Sequence, residues 1–174
     1  MTRMLESGSE TGHGVNFAEI EREWVRSRFY SPFDWVAFDD YSPYNVLAGP
    51  VQNARVAFVT TSGAYHRDQP AFDLESAAGD PSFRFFPSAT SLADIQLSHR
   101  GYNTSRASDD KNVVLPLEHL QATQNEGRIG ELAPTVYSFM GYIADPEPLV
   151  RETAPTVAKQ LLADRVDLVL LAPT

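Results

Sequence analysis

The stretch "ARVAFVTTSG" (54–63) decides how this chain folds. Val56, Phe58 and Val59 favour extended backbone, and Gly63 closes the run with a residue that accepts positive φ. Its apolar residues are nearly continuous rather than alternating, the pattern of a strand covered on both faces. The same grammar returns in "VDLVLLAPT" (166–174), where Val166, Leu168, Val169, Leu170 and Leu171 precede Pro173-Thr174. Both runs end in small residues: Thr60, Thr61, Ser62 and Gly63 in one, Pro173 and Thr174 in the other. A helix-like segment precedes the second run, so the expectation is an α/β layered domain with a mostly parallel sheet. In such sheets the chemistry gathers at the carboxyl ends of the strands.

Working outward, residues 1–14 are rich in Ser, Gly and Glu and are expected to be a disordered tail, leaving 15–174 as a single α/β domain. From Asn16, "NFAEIEREWVRSRFY" has helical periodicity, and "SPFDWVAFDDYSPYN" is an aromatic segment broken by Pro32 and Pro43. A long polar loop is expected over "AYHRDQPAFDLESAAGDP". Short strands are expected at "SFRFFPS", with Phe83 and Phe85 alternating, and through Ile95 and Leu97. "KNVVLP" is a further short apolar run. "PLEHLQATQNEG" (116–127) predicts a helix stopped by Gly127, and "RIGELAPTVYSFMGYI" begins loop-like and turns apolar. The last helix starts with Asp145 as N-cap and Pro146 at its first position, and is expected to kink near Pro155. The run 166–171 then reads as a buried core strand.

Composition limits the function. The chain has 174 residues, 43% hydrophobic and 21% charged, which suits one globular domain. A net charge of −9 argues against nucleic acid or an anionic membrane as partner. No stretch approaches the roughly 20 apolar residues of a membrane span, and the N-terminus has no apolar signal core, so the expected location is cytoplasmic. There is no cysteine, which removes disulfides and thiol chemistry from the chain as given.

Two polar clusters could carry chemistry. His66, Asp68 and Asp73 in "HRDQPAFD" could bind a metal or act as acid and base, although the spacing fits no strong metal motif and a solvated loop explains it too. "LSHRGYNTS" offers His99 either as a satisfied histidine at a strand end, which is the commoner case, or as a proton donor near a substrate, with Tyr102 and Asn103 beside it. "YSFMGYIAD" is read as core packing with one close backbone approach at Gly141, or else as a loop lining the site. Motifs of serine hydrolases, P-loops, zinc proteases and dinucleotide folds are absent.

In their order, "ARVAFVTTSGAYHRDQPAFD", "GDPSFRFFPS", "DIQLSHRGYNTS", "DDKNVVLPLEHL", "EGRIGELAPTVYSFMGYI" and "APTVAKQLLADRVDLVLLAPT" resemble the selenoprotein B family. That family serves the glycine, sarcosine, betaine and D-proline reductases, and the short length resembles the D-proline type. The resemblance implies reductive cleavage of a C–N bond in an amino-acid-type substrate. It implies a selenocysteine just after the strand written here as "LVLLAPT", with a cysteine a few residues on. It also implies other reductase subunits as partners, one bearing a pyruvoyl group. The chain itself would then hold no cofactor, metal or redox residue and would be inactive alone, truncated at a UGA codon behind Thr174. The nucleotide sequence past that codon tests this. The substrate-pocket residues expected are Thr60, Thr61, Ser62, Gly63, His66, Asp68, His99, Asn103, Pro173 and Thr174. The second reading is a non-catalytic subunit binding a small ligand or a partner. The third is a metal-dependent hydrolase built on His66, Asp68 and Asp73. A chain cut after a core strand should also expose apolar surface and associate.

Overall fold

The run at 54–63 forms the hub of the sheet. The computed structural model describes residues 45–174 together with Ile20 and Arg28, both helical and exposed. The chain divides into two units, Met1–Tyr44 and Asn45–Thr174. The expected tail at 1–14 and the aromatic segment lie outside the described residues, as does most of the helix from Asn16. In chain order the second unit contains β1 (Arg55–Thr60), β2 (Ala64–His66), β3 (Phe83–Pro87), β4 (Ile95–Leu97), α1 (Thr104–Asp109), α2 (Leu117–Asn125), β5 (Glu131–Phe139), α3 (Ala154–Ala163) and β6 (Leu168–Ala172).

The main sheet has the order β3-β5-β1-β6. β1 pairs in parallel with both β5 and β6, and β3 joins β5 antiparallel. The α/β, mostly parallel architecture is therefore present. β2 and β4 form a separate antiparallel ribbon. Gly63 joins ribbon to sheet, its N–H donating to the Phe139 carbonyl at 2.8 Å and its carbonyl accepting from Ser98 N–H at 2.9 Å. Its φ is +68°, and a Cβ there would collide with the Ser98 carbonyl, so only glycine fits.

Successive residues of β1 point to opposite faces, and each face carries its own core. Phe58 packs with Phe86, Ile95, Leu115, Leu117 and Val136 on one side, while Val59 packs with Tyr137, Phe139 and Val157 of α3 on the other. Each of these large side chains contributes roughly 1.5–3 kcal/mol by leaving water. At the amino ends Arg55 ties three strands together. Its N–H donates to Asp167 Oδ2 at 2.8 Å, and its guanidinium donates to Glu131 Oε2 at 2.9 and 3.1 Å and to the Asp164 carbonyl at 2.6 Å. Strand register is thus set at the end opposite the carboxyl mouth.

Several expectations need correction. "RIGELAPTVYSFMGYI" opens not as a loop but as β5, an interior strand. Pro134 masks it, and the register with β1 slips between Val56 and Phe58, alongside the residues around this proline. The polar loop after Gly63 begins as β2. In β3 the deeply buried ring is Phe86, whereas Phe85 is exposed. "KNVVLP" forms a 3₁₀ turn, Lys111–Val113, and then buries Leu115. Gly127 does stop α2, with φ +68° and the paired turn bonds Gly127 N–H to Gln124 O and Arg128 N–H to Thr123 O. Asp145 does cap the last helix through Glu147 N–H at 3.1 Å. A π-helical turn, Leu149–Thr153, precedes α3 and sets Pro155 in the first turn of α3, where its missing N–H costs little. Finally, β6 starts at Leu168 and is an edge strand rather than a buried one.

Candidate functional site

The carboxyl ends of β1, β5 and β6 meet at one mouth. Thr61 links two of them: its N–H donates to the Ala172 carbonyl at 3.1 Å, and its Oγ1 accepts from Thr174 N–H at 2.9 Å. Ser62 bridges to Met140, just beyond β5. The Ser62 carbonyl accepts from the Tyr102 hydroxyl at 2.7 Å, while its own buried hydroxyl has no hydrogen-bond partner.

His99 lies under this mouth, 8% exposed. Gly101 N–H donates to its Nδ1 at 2.7 Å, Gly141 N–H points at its Nε2 from 3.1 Å, and its ring lies on that of Tyr102 with centroids 4.7 Å apart. A neutral imidazole carries one N–H and one free lone pair. Either tautomer therefore serves one of the two amides as acceptor, and the imidazolium would serve neither. Burial pushes the His99 pKa down as well. The group is uncharged at neutral pH and positions two loops, which fits the reading of a satisfied histidine rather than that of a proton donor. Tyr102 is locked in the same way, its pKa pushed up to about 12 by burial.

Gly141 shows how tight the mouth is. A Cβ there would lie 2.7 Å from His99 Nε2, 2.9 Å from the Thr174 carbonyl oxygen and 3.2 Å from that of Thr61. Only a residue without a side chain lets β5 exit between the other two strands. The close approach expected at this glycine is real, and it falls at the mouth itself. Sequence reasoning set Gly141 and Tyr102 outside the site, although both were visible as residues of interest.

The structure brings together Thr61, Ser62, Gly63, His99 and Thr174, with Pro173 on the exposed exit of β6. Thr60 is adjacent but buried, its Oγ1 accepting from Ser62 N–H at 3.1 Å and donating to the Val114 carbonyl at 3.2 Å. Asn103 is spent as the N-cap of α1 through Arg106 N–H. His66 and Asp68 are occupied in their own turn: Asp68 N–H reaches His66 Nδ1 at 3.3 Å, and His66 N–H donates to Gln69. Asp73 accepts from Glu75 and Ser76 N–H in a separate loop. Among the described residues no group of three or more His, Cys, Asp or Glu could hold a metal, so the cluster needed for a metal hydrolase does not form. A cleft of about 420 Å³ lies elsewhere, between Ser88, Gln121, Gln124 and Leu132. Two of its side-chain amides serve the fold, Gln121 donating to the Ser88 carbonyl and Gln124 accepting from Leu132 N–H, whereas the mouth gathers the ends of three strands. Among the described residues no helix is long and apolar enough to cross a membrane.

Residues 26–174 match the family model described as glycine/sarcosine/betaine reductase selenoprotein B. The D-proline reductase subunit gamma of Acetoanaerobium sticklandii is 36% identical over 121 residues, covering 70% of this chain and 49% of that subunit. The glycine reductase complex component B subunit gamma of Symbiobacterium thermophilum is 27% identical over 180 residues, covering 99% of this chain and 40% of that one. The betaine reductase complex component B subunit beta of Peptoclostridium acidaminophilum is 28% identical over 136 residues. The chain spans about half the length of these curated relatives, or less. No solved structure matches it.

Proposed function

The chain belongs to the glycine/sarcosine/betaine reductase selenoprotein B family, and from that premise we propose that it forms the strand-end half of a site for reductive C–N cleavage in an amino-acid-type substrate. The observation that carries this reading is the convergence of β1, β5 and β6 on one mouth over an uncharged, buried histidine. Reductive cleavage replaces a C–N bond by C–H and N–H, consuming an electron pair and two protons. Those electrons would come from the selenol and the nearby thiol that the resemblance implies just after the strand written "LVLLAPT", which release two electrons and two protons as they close to a selenenyl sulfide. The exit of β6 suits such a group, because Thr61 Oγ1 holds Thr174 N–H and the exit opens to solvent. The work of this chain's own residues is positioning. His99 and Gly141 fix how far the β5 exit stands from β6, Tyr102 holds the turn at Ser62, and the Thr61 hydroxyl lies between β1 and β6. An uncharged imidazole does not itself pair with an anionic nucleophile at the mouth. Further subunits, one bearing a pyruvoyl group, would complete the site.

The test is a reconstituted complex assayed with glycine, sarcosine, betaine and D-proline for reductant-dependent C–N cleavage. Thr61→Val and Gly141→Ala should each lower the rate tenfold or more while the complex still assembles. Full rates in both variants, or no cleavage of any of the four substrates by an assembled complex, would overturn the assignment.

A further inference from the structure

We propose that the free edge of β6 is a docking edge for a parallel β-strand with its own covering helices, supplied by the half of the family's polypeptide that this chain does not span. Three observations carry the proposal. First, Leu168, Val169, Leu170 and Leu171 are 40%, 37%, 42% and 68% exposed, although the run contains no charge, proline or bulge. An uninterrupted apolar run is the mark of a strand buried on both faces inside a parallel sheet. A strand meant to stay at an edge is blunted by charges, prolines or irregular register.

Second, the exposure falls on both faces. The pairing Phe58↔Leu170 and Val59↔Leu171 sets Leu170 on the Phe58 side and Leu171 on the α3 side. A second copy pairing edge to edge through β6 would satisfy backbone groups. It would also double the bare apolar surface, since both copies bring the same uncovered residues. The occupant must therefore bring cover for each face, which is what a strand followed by crossover helices provides. Third, the matched relatives hold the necessary polypeptide: the chain accounts for 49% of the D-proline reductase subunit and 40% of the glycine reductase subunit. The proposal does not depend on the chemistry of the mouth, and its test reads assembly alone.

The experiment co-expresses the full 174-residue chain with a tagged polypeptide. That polypeptide comprises the part of the Acetoanaerobium sticklandii subunit outside the matched stretch. The expected result is a 1:1 complex by native mass spectrometry. In it the amides of Leu168–Ala172 should exchange at least tenfold more slowly than in the chain alone, while those of β5 are unchanged. Leu170→Lys should abolish co-purification and leave the circular dichroism of the chain as it was. The proposal is overturned if the two do not co-purify, insolubility of the partner included. It is also overturned by a complex in which the β6 amides gain no protection, or by a β6-paired homodimer that persists in the partner's presence.

Discussion

At one edge of the sheet β3 sets Arg84 and Pro87 among its phenylalanines; at the other, β6 offers only Leu, Val and Ala. The β3 edge is dressed by its own chain. Gln69 Nε2 donates to the Phe85 carbonyl at 2.9 Å, and Arg84 donates to the carbonyls of Pro70 and Ala71 and lies over the Phe72 ring. Phe85 is as exposed as the residues of β6, yet its own carbonyl is held by Gln69. The difference teaches that exposure of an apolar residue is not itself a signal. What distinguishes β6 is that apolar side chains and unpaired backbone occur together.

The comparison breaks most visibly at its buried residues. Phe86→Ala should cost about 3–5 kcal/mol by opening a cavity in the core behind β3, whereas Leu170→Ala should cost about 1 kcal/mol or less. Denaturant midpoints measured on both variants check this, and equal losses would mean that the two edges are alike. Next, Arg84→Ala should cost about 2 kcal/mol, because it strips the partner from two carbonyls and removes the cation facing partly buried Asp80. Its signature would be faster amide exchange in β3 and not in β6. Leu170→Lys should change stability by less than about 1 kcal/mol but reduce self-association of the isolated chain, read by sedimentation.

The smallest effects are in acid, and the two sides should respond in different windows. Burial holds folded His99 below its unfolded value of about 6.5. The unfolded chain then takes up the proton first, so this contribution to stability is complete above that value and declines as pH falls below it. At Asp80 burial pulls the pKa up, but the Ser82 hydroxyl, the Asp73 and Ser82 amides and Arg84 outweigh it and hold it low. That contribution is present above about pH 4 and fades as pH falls through the lowered value. Exchange at Gly101 and Gly141 should quicken in the first window, exchange at Asp73 and Ser82 only in the second. His99→Gln should remove the first response and leave the second.

Much of this was legible in the residues. β1, α2 with its Gly127 stop and the Asp145 cap follow from local chemistry, because the signal and the bond it makes lie within a few residues. β5 was half hidden, since Pro134 argues against a strand interior and only the slipped register with β1 tolerates it. The site shows the same division. Strand grammar pointed to Thr61, Ser62, Gly63 and Thr174, all of which meet at the mouth. It also pointed to His66 and Asn103, whose side chains accept bonds in a turn and at a helix cap, and to Asp68, whose side chain is exposed beside His66. Polar side chains near a strand end look alike in sequence, and their competing local bonds appear only in three dimensions.

The sequence by itself determined the class of fold, the ordered segments that mark the family and the glycine that closes the β1 run at 63, because these depend on backbone conformation and apolar patterning. Only the tertiary structure decided that β6 is an edge, that β3 runs antiparallel to β5, and that His99 is an uncharged clamp. Those outcomes depend on which distant groups come to face one another: two backbone amides converge on one imidazole from positions 101 and 141, a relation that neither local segment encodes alone.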